Sequence, residues 1–380
     1  MVDIHLIDTN DKAQVRRFAQ FHYDLYADCP QWVPPIWDDQ FMFLNREKHP
    51  FYEHSDADFF IATRGNEVVG RLGVLENKPF NRYHETKHAI FSLYDCIDDQ
   101  DVANALFNRA FDWARARGLN HIVGPKGLSS FDGYGILQEG FEYRQMMNMS
   151  AYNYPYYNTQ LEKLGFQKEV DFVSCIMERD SFHLPERIRE IARRVKEKGT
   201  FQIKVFKNKK ELNNYADKIL RAYNDTFIHN WEYYPLSDRE RDFVMNNMLT
   251  IADPRLIKII LHDDKIVGFL LGFQDMSAAM QRQKGKISLS RPWAAVDMLL
   301  ELKRTRVVSL NGAGVLPEYH GRGGNALLYA EMEDTINSPQ FHFDRAELTQ
   351  VAETTPQMRK DLINVGGKPY KNHRVYQRDL

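Results

Sequence analysis

Two stretches of the chain repeat one pattern about 198 residues apart. Residues 58–73, DFFIATRGNEVVGRLG, and residues 256–272, LIKIILHDDKIVGFLLG, each place an apolar run, a polar turn, then Val-Gly and further apolar residues. Apolar segments joined by so short a turn predict a β-hairpin in both places. The ends match as well. LEKLGFQKEVDFVSCIMERD closes at Asp180 and LINVGGKPYKNHRVYQRDL closes at Leu380, and each predicts a short helix, a glycine turn and a last strand. Two pairs at nearly one offset point to duplication, hence to two similar α/β halves in tandem. Halves of about 190 residues can each bury roughly 70% of their unfolded surface without staples.

Between the halves, LPERIREIARRVKEKG (184–199) predicts a helix. Pro185 suits its first turn, Gly199 its stop, and Ile188, Ile191, Ala192 and Val195 make a narrow apolar stripe. Ten Lys or Arg between Arg187 and Lys210 make this stretch basic, which a solvated helix face explains more simply than an anion site. The expected division is therefore 1–183, a helical connector at 184–200, and 201–380. Fifty Lys and Arg against 52 Asp and Glu argue against a dedicated nucleic-acid or membrane-surface partner. Cys29, Cys96 and Cys175 are too scattered and too few for a disulfide framework. With no apolar leader and no run approaching the ~18 residues that span a bilayer, a soluble cytoplasmic protein is expected. The histidines show no H-E-x-x-H and the cysteines no C-x-x-C, so no metal is expected. G-x-S-x-G is absent too, which disfavours a serine hydrolase.

The stretch richest in chemistry is 306–336. An apolar strand, Val307 to Val315, runs into Pro317, then HGRGG at 320–324, then the helical NALLYAEMEDTI. Strand, glycine-rich loop and helix in that order form an anion cradle. The glycines admit a close approach, the first N–H groups of the helix point outward, and the helix dipole favours negative charge. Arg322 adds a fixed cation.

This loop resembles the coenzyme A loop of the GNAT (Gcn5-related N-acetyltransferase) superfamily, roughly V-x-P-x-x-[QR]-G-x-G-x-[GA]. Here it reads Val315-Leu316-Pro317-Glu318-Tyr319-His320-Gly321-Arg322-Gly323-Gly324-Asn325, with His320 and Asn325 departing from the pattern. The resemblance extends over 201–380, where ELTQVAETTPQMRKDLINVGG (347–367) offers a strand, a glutamate, Thr355 at the usual Asn position and a glycine turn. The chain as a whole resembles bacterial proteins with two tandem GNAT domains. That implies two mixed, mostly antiparallel sheets flanked by helices, with acetyl-CoA or another acyl-CoA as co-substrate. Direct transfer to a small-molecule or peptide amine is implied, with no nucleic acid or membrane partner. Carried over residue by residue, Ala313, Gly314 and Val315 would hold pantetheine by their backbone. His320, Gly321, Arg322, Gly323, Gly324, Asn325 and Ala326 would hold the pyrophosphate, with Thr355 near them.

Glu347 and Glu353 are the candidates for the base, with a strand-end salt bridge as the alternative for each. The usual tyrosine acid is replaced by Leu362. Acceptor binding would fall to 226–241, with Tyr152, Tyr154, Tyr156 and Tyr157 of the first half as aromatic candidates for the pocket or, as such clusters more often are, for the core. The long join 275–306 has the length of a lid. In the first half, YDCIDDQDVANAL (94–106) stands in the loop's place. It has no glycine, and Asp95, Asp98, Asp99 and Asp101 would repel a phosphate, so no cofactor is expected there. Those aspartates read as helix caps or, alternatively, a metal site, with Asp101 the expected cap of a helix stopped by Gly118. Two further functions fit the same residues: a non-catalytic acyl-CoA-binding scaffold, and an aminoacyl transferase.

Overall fold

The computed structural model describes every residue except 130–131, 148–149, 229, 232 and 288–291. In chain order the first elements are strand β1 (Asp3–Leu6), helices α1 (Lys12–Leu25) and α2 (Trp37–Leu44), and the hairpin β2 (Asp56–Arg64) and β3 (Glu67–Glu76). Then come α3 (Lys78–Tyr83), β4 (His88–Cys96), α4 (Gln100–Ala116), β5 (His121–Gly124), β6 (Ile136–Glu139), α5 (Tyr156–Lys163) and β7 (Gln167–Glu178). The next elements are α6 (Glu186–Lys198), β8 (Gln202–Lys204), α7 (Lys209–Asn213), α8 (Ala216–Phe227), α9 (Asp238–Ile251) and the second hairpin, β9 (Ile257–His262) and β10 (Lys265–Gln274). After α10 (Ser277–Arg282) and α11 (Pro292–Arg304) the chain ends with β11 (Val307–Val315), α12 (Gly324–Ile336), β12 (Arg345–Ala352), α13 (Pro356–Asn364) and β13 (Lys368–Asp379). Both predicted hairpins form, and both predicted helix–glycine–strand endings are present.

Two compact units result, and neither is one run of sequence. The first comprises Met1–Phe172, Ser277–Leu299 and Lys371–Leu380; the second comprises Val173–Met276 and Leu300–Tyr370. This corrects the expected division at 184–200. The helix α6 lies wholly inside the second unit, and the α10–α11 excursion belongs to the first through Leu299. The physical reason is an exchange of last strands. In the first unit, β5 pairs not with the end of its own half but with β13, Tyr376 opposite Gly124 and Asp379 opposite His121. In the second unit, the strand beside β12 is β7.

The first unit's sheet runs β1-β2-β3-β4-β5-β13, with β6 also on β13. All neighbours are antiparallel except β4 and β5. Its core is dense with aromatics. Val102, Leu106, Phe107, Ala110 and Phe111 of α4, at helical spacing, pack with Phe60, Phe91, Phe166 and Tyr376. Asp99, not Asp101, caps α4, accepting from the N–H groups of Asp101 and Val102; helical geometry begins two residues earlier than the apolar pattern suggests. Gly118 follows the helix with φ +71, as expected of a stop.

The second unit's sheet runs β8-β9-β10-β11-β12-β7. On one face α12 and α6 cover Ile260, Val267, Val308, Ala346 and Leu348, together with Cys175 and Met177 of β7. On the other lies α8, whose Tyr223 stacks on Phe269 with 5.5 Å between ring centroids. The basic stretch around α6 is largely paired with acids. Arg193 bonds Glu190 and Glu197, Arg194 bonds Glu190, Lys196 bonds Glu331, and Arg189 bonds Glu333.

Candidate active site

The second unit's parallel strands come apart. β11 and β12 pair from Val307 opposite Arg345 to Leu310 opposite Leu348, and there the pairing ends. Yet β11 runs on for five residues, still paired to β10 as far as Val315 opposite Gly268. A bulge turns it aside: Asn311 and Gly312 lie opposite Leu271 alone, with Gly312 at φ +101. An extra residue bends the bulged strand and breaks its ladder locally, and only glycine takes that φ without strain. On β12, Gln350 is left-handed at the same level, φ +47. The bond from Ser309 Oγ to Thr349 Oγ1, 3.0 Å, ties the strands at the start of the split. Ala313, Gly314 and Val315, the expected pantetheine contacts, are the residues that run along the open edge. Gly314 has no room for a side chain, since a Cβ would lie 2.3 Å from Thr226 of α8.

At the mouth of the split stands the glycine loop. A 3₁₀ turn over Pro317–Tyr319 leads to His320, whose Nε2 lies 2.7 Å from the Val315 carbonyl. Gly321 (φ +73) and Gly323 (φ +83) turn the backbone left-handed, and Gly323 is the N-cap of α12. Among the described residues no side chain caps that helix, so its first-turn N–H groups stay available. Gly323 also allows close packing: a Cβ there would meet Val195 of α6 at 2.6 Å. Gly321, by contrast, faces open space. Arg322 is exposed, its guanidinium 5.1 Å from the Tyr319 ring centroid, with no carboxylate partner among the described residues. Gly324 and Ala326 are buried in the first turn, and Asn325 donates to Asp361 at 3.4 Å. Thr355 precedes α13 as its N-cap, its hydroxyl spent on the Ala352 carbonyl at 2.8 Å.

Of the two expected bases, Glu347 is buried on β12 in register with Ser309, whereas Glu353 is half-buried in the turn beyond the strand. Ala346 and Leu348 point into the α12 core, so the alternation of a strand turns Glu347 and Thr349 to the opposite face, the α8 side. There the Tyr370 hydroxyl donates to the Glu347 carboxylate. Burial first, then the Glu347 charge, pushes the Tyr370 phenol far up, so it keeps its proton. No sequence signal marked Tyr370, which sits on the last strand, far from any motif. Leu362 is part of the apolar core and offers no proton. Thr226 opens the stretch assigned to acceptor binding, and its hydroxyl is buried without a hydrogen-bond partner among the described residues. A cleft on the side of α8 away from the sheet is lined by Arg221, Asn224, Asp225, Tyr233 and Arg241. His229 and Glu232 of that stretch lie outside the described residues.

The first unit repeats the split and then fills it. β4 and β5 pair only from His88 to Ile90, while β4 continues to Cys96. Leu93 and Tyr94 bulge opposite Leu72, with Leu93 at φ +47. The exposed edge is taken by side chains of α5. Cys96 N–H donates to Tyr157 Oη at 3.1 Å, Tyr156 Oη donates to the Cys96 carbonyl at 2.7 Å, and Gln160 Nε2 donates to the Ile97 carbonyl at 2.9 Å. Tyr156 and Tyr157 are thus fastened inside their own unit, and Tyr154 stacks on Tyr26 at 5.0 Å, with Tyr152 edge-on to Tyr26 at 6.3 Å. Asp95 is locked between Arg71 (2.6 Å) and His22 (2.8 Å), and Asp99 pairs with Arg64 (2.6 Å). Burial raises the Asp95 carboxyl, but His22 and Arg71 together hold it below the usual carboxylate range.

No protein-family model matches the chain. Among curated proteins it is similar to the bacterial ceramide synthase of Caulobacter vibrioides, 27% identical over all of this chain and 98% of that one. It is also similar to protein YghO of Escherichia coli, 24% identical over 97% of this chain and 94% of that one. Among solved structures it superposes on a tandem GNAT protein from the clavulanic acid biosynthesis pathway, with TM-score 0.57 and 12% identity, over 100% and 98% of the two chains. It also superposes on the GCN5-related glucosamine N-acetyltransferase region of a fungal multi-domain β-N-acetylglucosaminidase, with TM-score 0.57 and 13% identity, covering 38% of that chain. The fold is that of the tandem GNAT proteins.

Proposed function

We propose that the second unit transfers an acyl group from an acyl-coenzyme A thioester to an amine, and that the first unit binds no cofactor. One contrast carries the reading: two matching splits, one open with an uncapped glycine loop at its mouth, the other filled by Tyr156, Tyr157 and Gln160. In the open one, the N–H groups at the start of α12 and the Arg322 guanidinium hold the pyrophosphate. Backbone groups of Ala313 to Val315 orient the pantetheine arm and polarise the thioester carbonyl. The thioester supplies the activated acyl group. Glu347 takes the proton lost by the amine and relays it to the departing thiolate, and Tyr370 steadies Glu347. Glu353 stands too far along the chain, in the turn, for us to give it a step. Thr226, against Gly314 on the sheet side of α8, receives the acceptor.

The whole-length similarity to a protein named as a ceramide synthase favours a fatty acyl group over acetyl, and a long-chain amino alcohol over a peptide. Calorimetric titration with coenzyme A checks the cofactor side: one site per chain is expected. Arg322→Glu with Asn325→Asp sets two carboxylates where the phosphates lie, and binding should weaken roughly a hundredfold or more. These positions are preferable to Gly323, where any side chain strikes Val195. Two sites per chain, or full affinity in that double variant, would overturn the reading. Mass spectra of products from acetyl-CoA and palmitoyl-CoA with sphinganine then decide the acyl length.

A further inference from the structure

Helix α11 is amphipathic the wrong way round. Its protein-facing side carries Ala294 and also Asp297, which accepts from Arg282 Nη2 at 2.9 Å and from Gln283 Nε2 at 2.9 Å. Its solvent side carries Trp293, Val296, Leu299 and Leu300, which are 83%, 42%, 61% and 38% exposed. At 100° per residue those four side chains fall within an arc of about 120°. A contiguous apolar face of this kind, turned to water while Asp297 is held inward, calls for an apolar partner.

Charge says which partner. From Ser277 to Arg304 there are six basic residues (Arg282, Lys284, Lys286, Arg291, Lys303, Arg304) against two acidic ones, Asp297 and Glu301, in a chain whose net charge is −2. Lys284, Lys286, Lys303 and Arg304 are exposed, and helical geometry puts Lys303 within the apolar arc. A second copy of this chain would have to meet this face with itself, and the arc offers Lys303 no acidic counterpart. An anionic lipid surface meets both halves of the face. Leucine and valine enter the acyl boundary, tryptophan sits at headgroup level, and lysine and arginine meet phosphate. No helix among the described residues is long and apolar enough to cross a membrane. From these features we infer that α11 is a docking helix that lays the protein flat on an anionic bilayer.

The inference does not depend on the acyl-transfer chemistry, because vesicle binding is read without substrate. The full-length chain is co-sedimented with phosphatidylcholine vesicles, with and without phosphatidylglycerol. Binding to the mixed vesicles is expected, and Trp293→Ser with Leu299→Ser should weaken it about tenfold or more, since binding scales with the apolar area inserted. Lys303→Glu with Arg304→Glu should abolish the preference for phosphatidylglycerol. All four positions are exposed, so thermal melting should be unchanged in both variants. Failure of the parent chain to bind either vesicle overturns the inference, as does equal binding by the serine variant. Self-association that the serine variant loses, with no vesicle binding, gives the face to a second copy and overturns it equally.

Discussion

Glu347 and Tyr370 show what one buried pair can do and how it is tested. A phenol that burial keeps protonated and a carboxylate in register with Ser309 hold each other in place on the α8 side of the sheet. Glu347→Gln keeps shape and hydrogen bonding but removes the base, so turnover should fall roughly a hundredfold while coenzyme A affinity stays put. Tyr370→Phe should cost less in rate but shift the pH at which turnover rises, because the carboxylate loses a donor that favours its ionised form. A rate profile for both variants checks this. Unchanged turnover with lowered stability would make Glu347 a structural carboxylate. Glu347 was legible as a candidate because it stands on a strand after a recognisable loop. Tyr370 was not, since nothing local distinguishes one tyrosine on a terminal strand from the chain's other aromatics. For the same reason Tyr156 and Tyr157 read as open alternatives, core or pocket, until their bonds to Cys96 were seen.

Elements were legible where local chemistry dictates them. Glycine and proline punctuate the run from Val307 to Ile336, and its strand, loop and helix stand where the sequence puts them. The bulge that opens the split was not legible. It depends on two residues facing Leu271, and in the first unit the same bulge uses Leu93 rather than a glycine. Nor was the apolar face of α11, because charge summed over the whole chain hides a local basic excess. Strand β13 carries a pH dependence of its own. His373 is fully buried, its Nε2 2.9 Å from the Ala151 carbonyl, and burial pushes its pKa down to about 4. An unfolded histidine titrates near 6.5, so the unfolded chain takes up a proton that the folded strand refuses. Stability is therefore complete above about pH 6.5 and declines as pH falls toward 4, by about 1.4 kcal/mol per pH unit. Melting temperatures from pH 7 to pH 5 should drop more steeply in the parent than in His373→Gln; parallel slopes would assign the acid sensitivity to other groups, such as His88.

For the molecule as a whole, the duplication was readable from paired segments at one offset, and the exchange of last strands was not. Pairing partners are a long-range property, and each final strand carries the same alternation whichever sheet it joins. The exchange predicts how fragments behave. Residues 1–200 lack Ser277–Leu299 and Lys371–Leu380, hence the strand that β5 needs and the segment against which Pro35 and Trp37 pack. Expressed alone they should be protease-sensitive and should not show a cooperative melt, and co-expression with 201–380 should restore both properties. A cooperative melt from 1–200 alone would show that β13 is dispensable. The order of synthesis gives the same exchange another meaning. Asp3 opens the first unit's sheet and Tyr376–Asp379 close it, so one end of that sheet is synthesised long before the other. Strands β1 to β5 must wait, incomplete and in need of protection, until β13 has been made. A stop codon anywhere ahead of β13 would thus spoil strands made long before it.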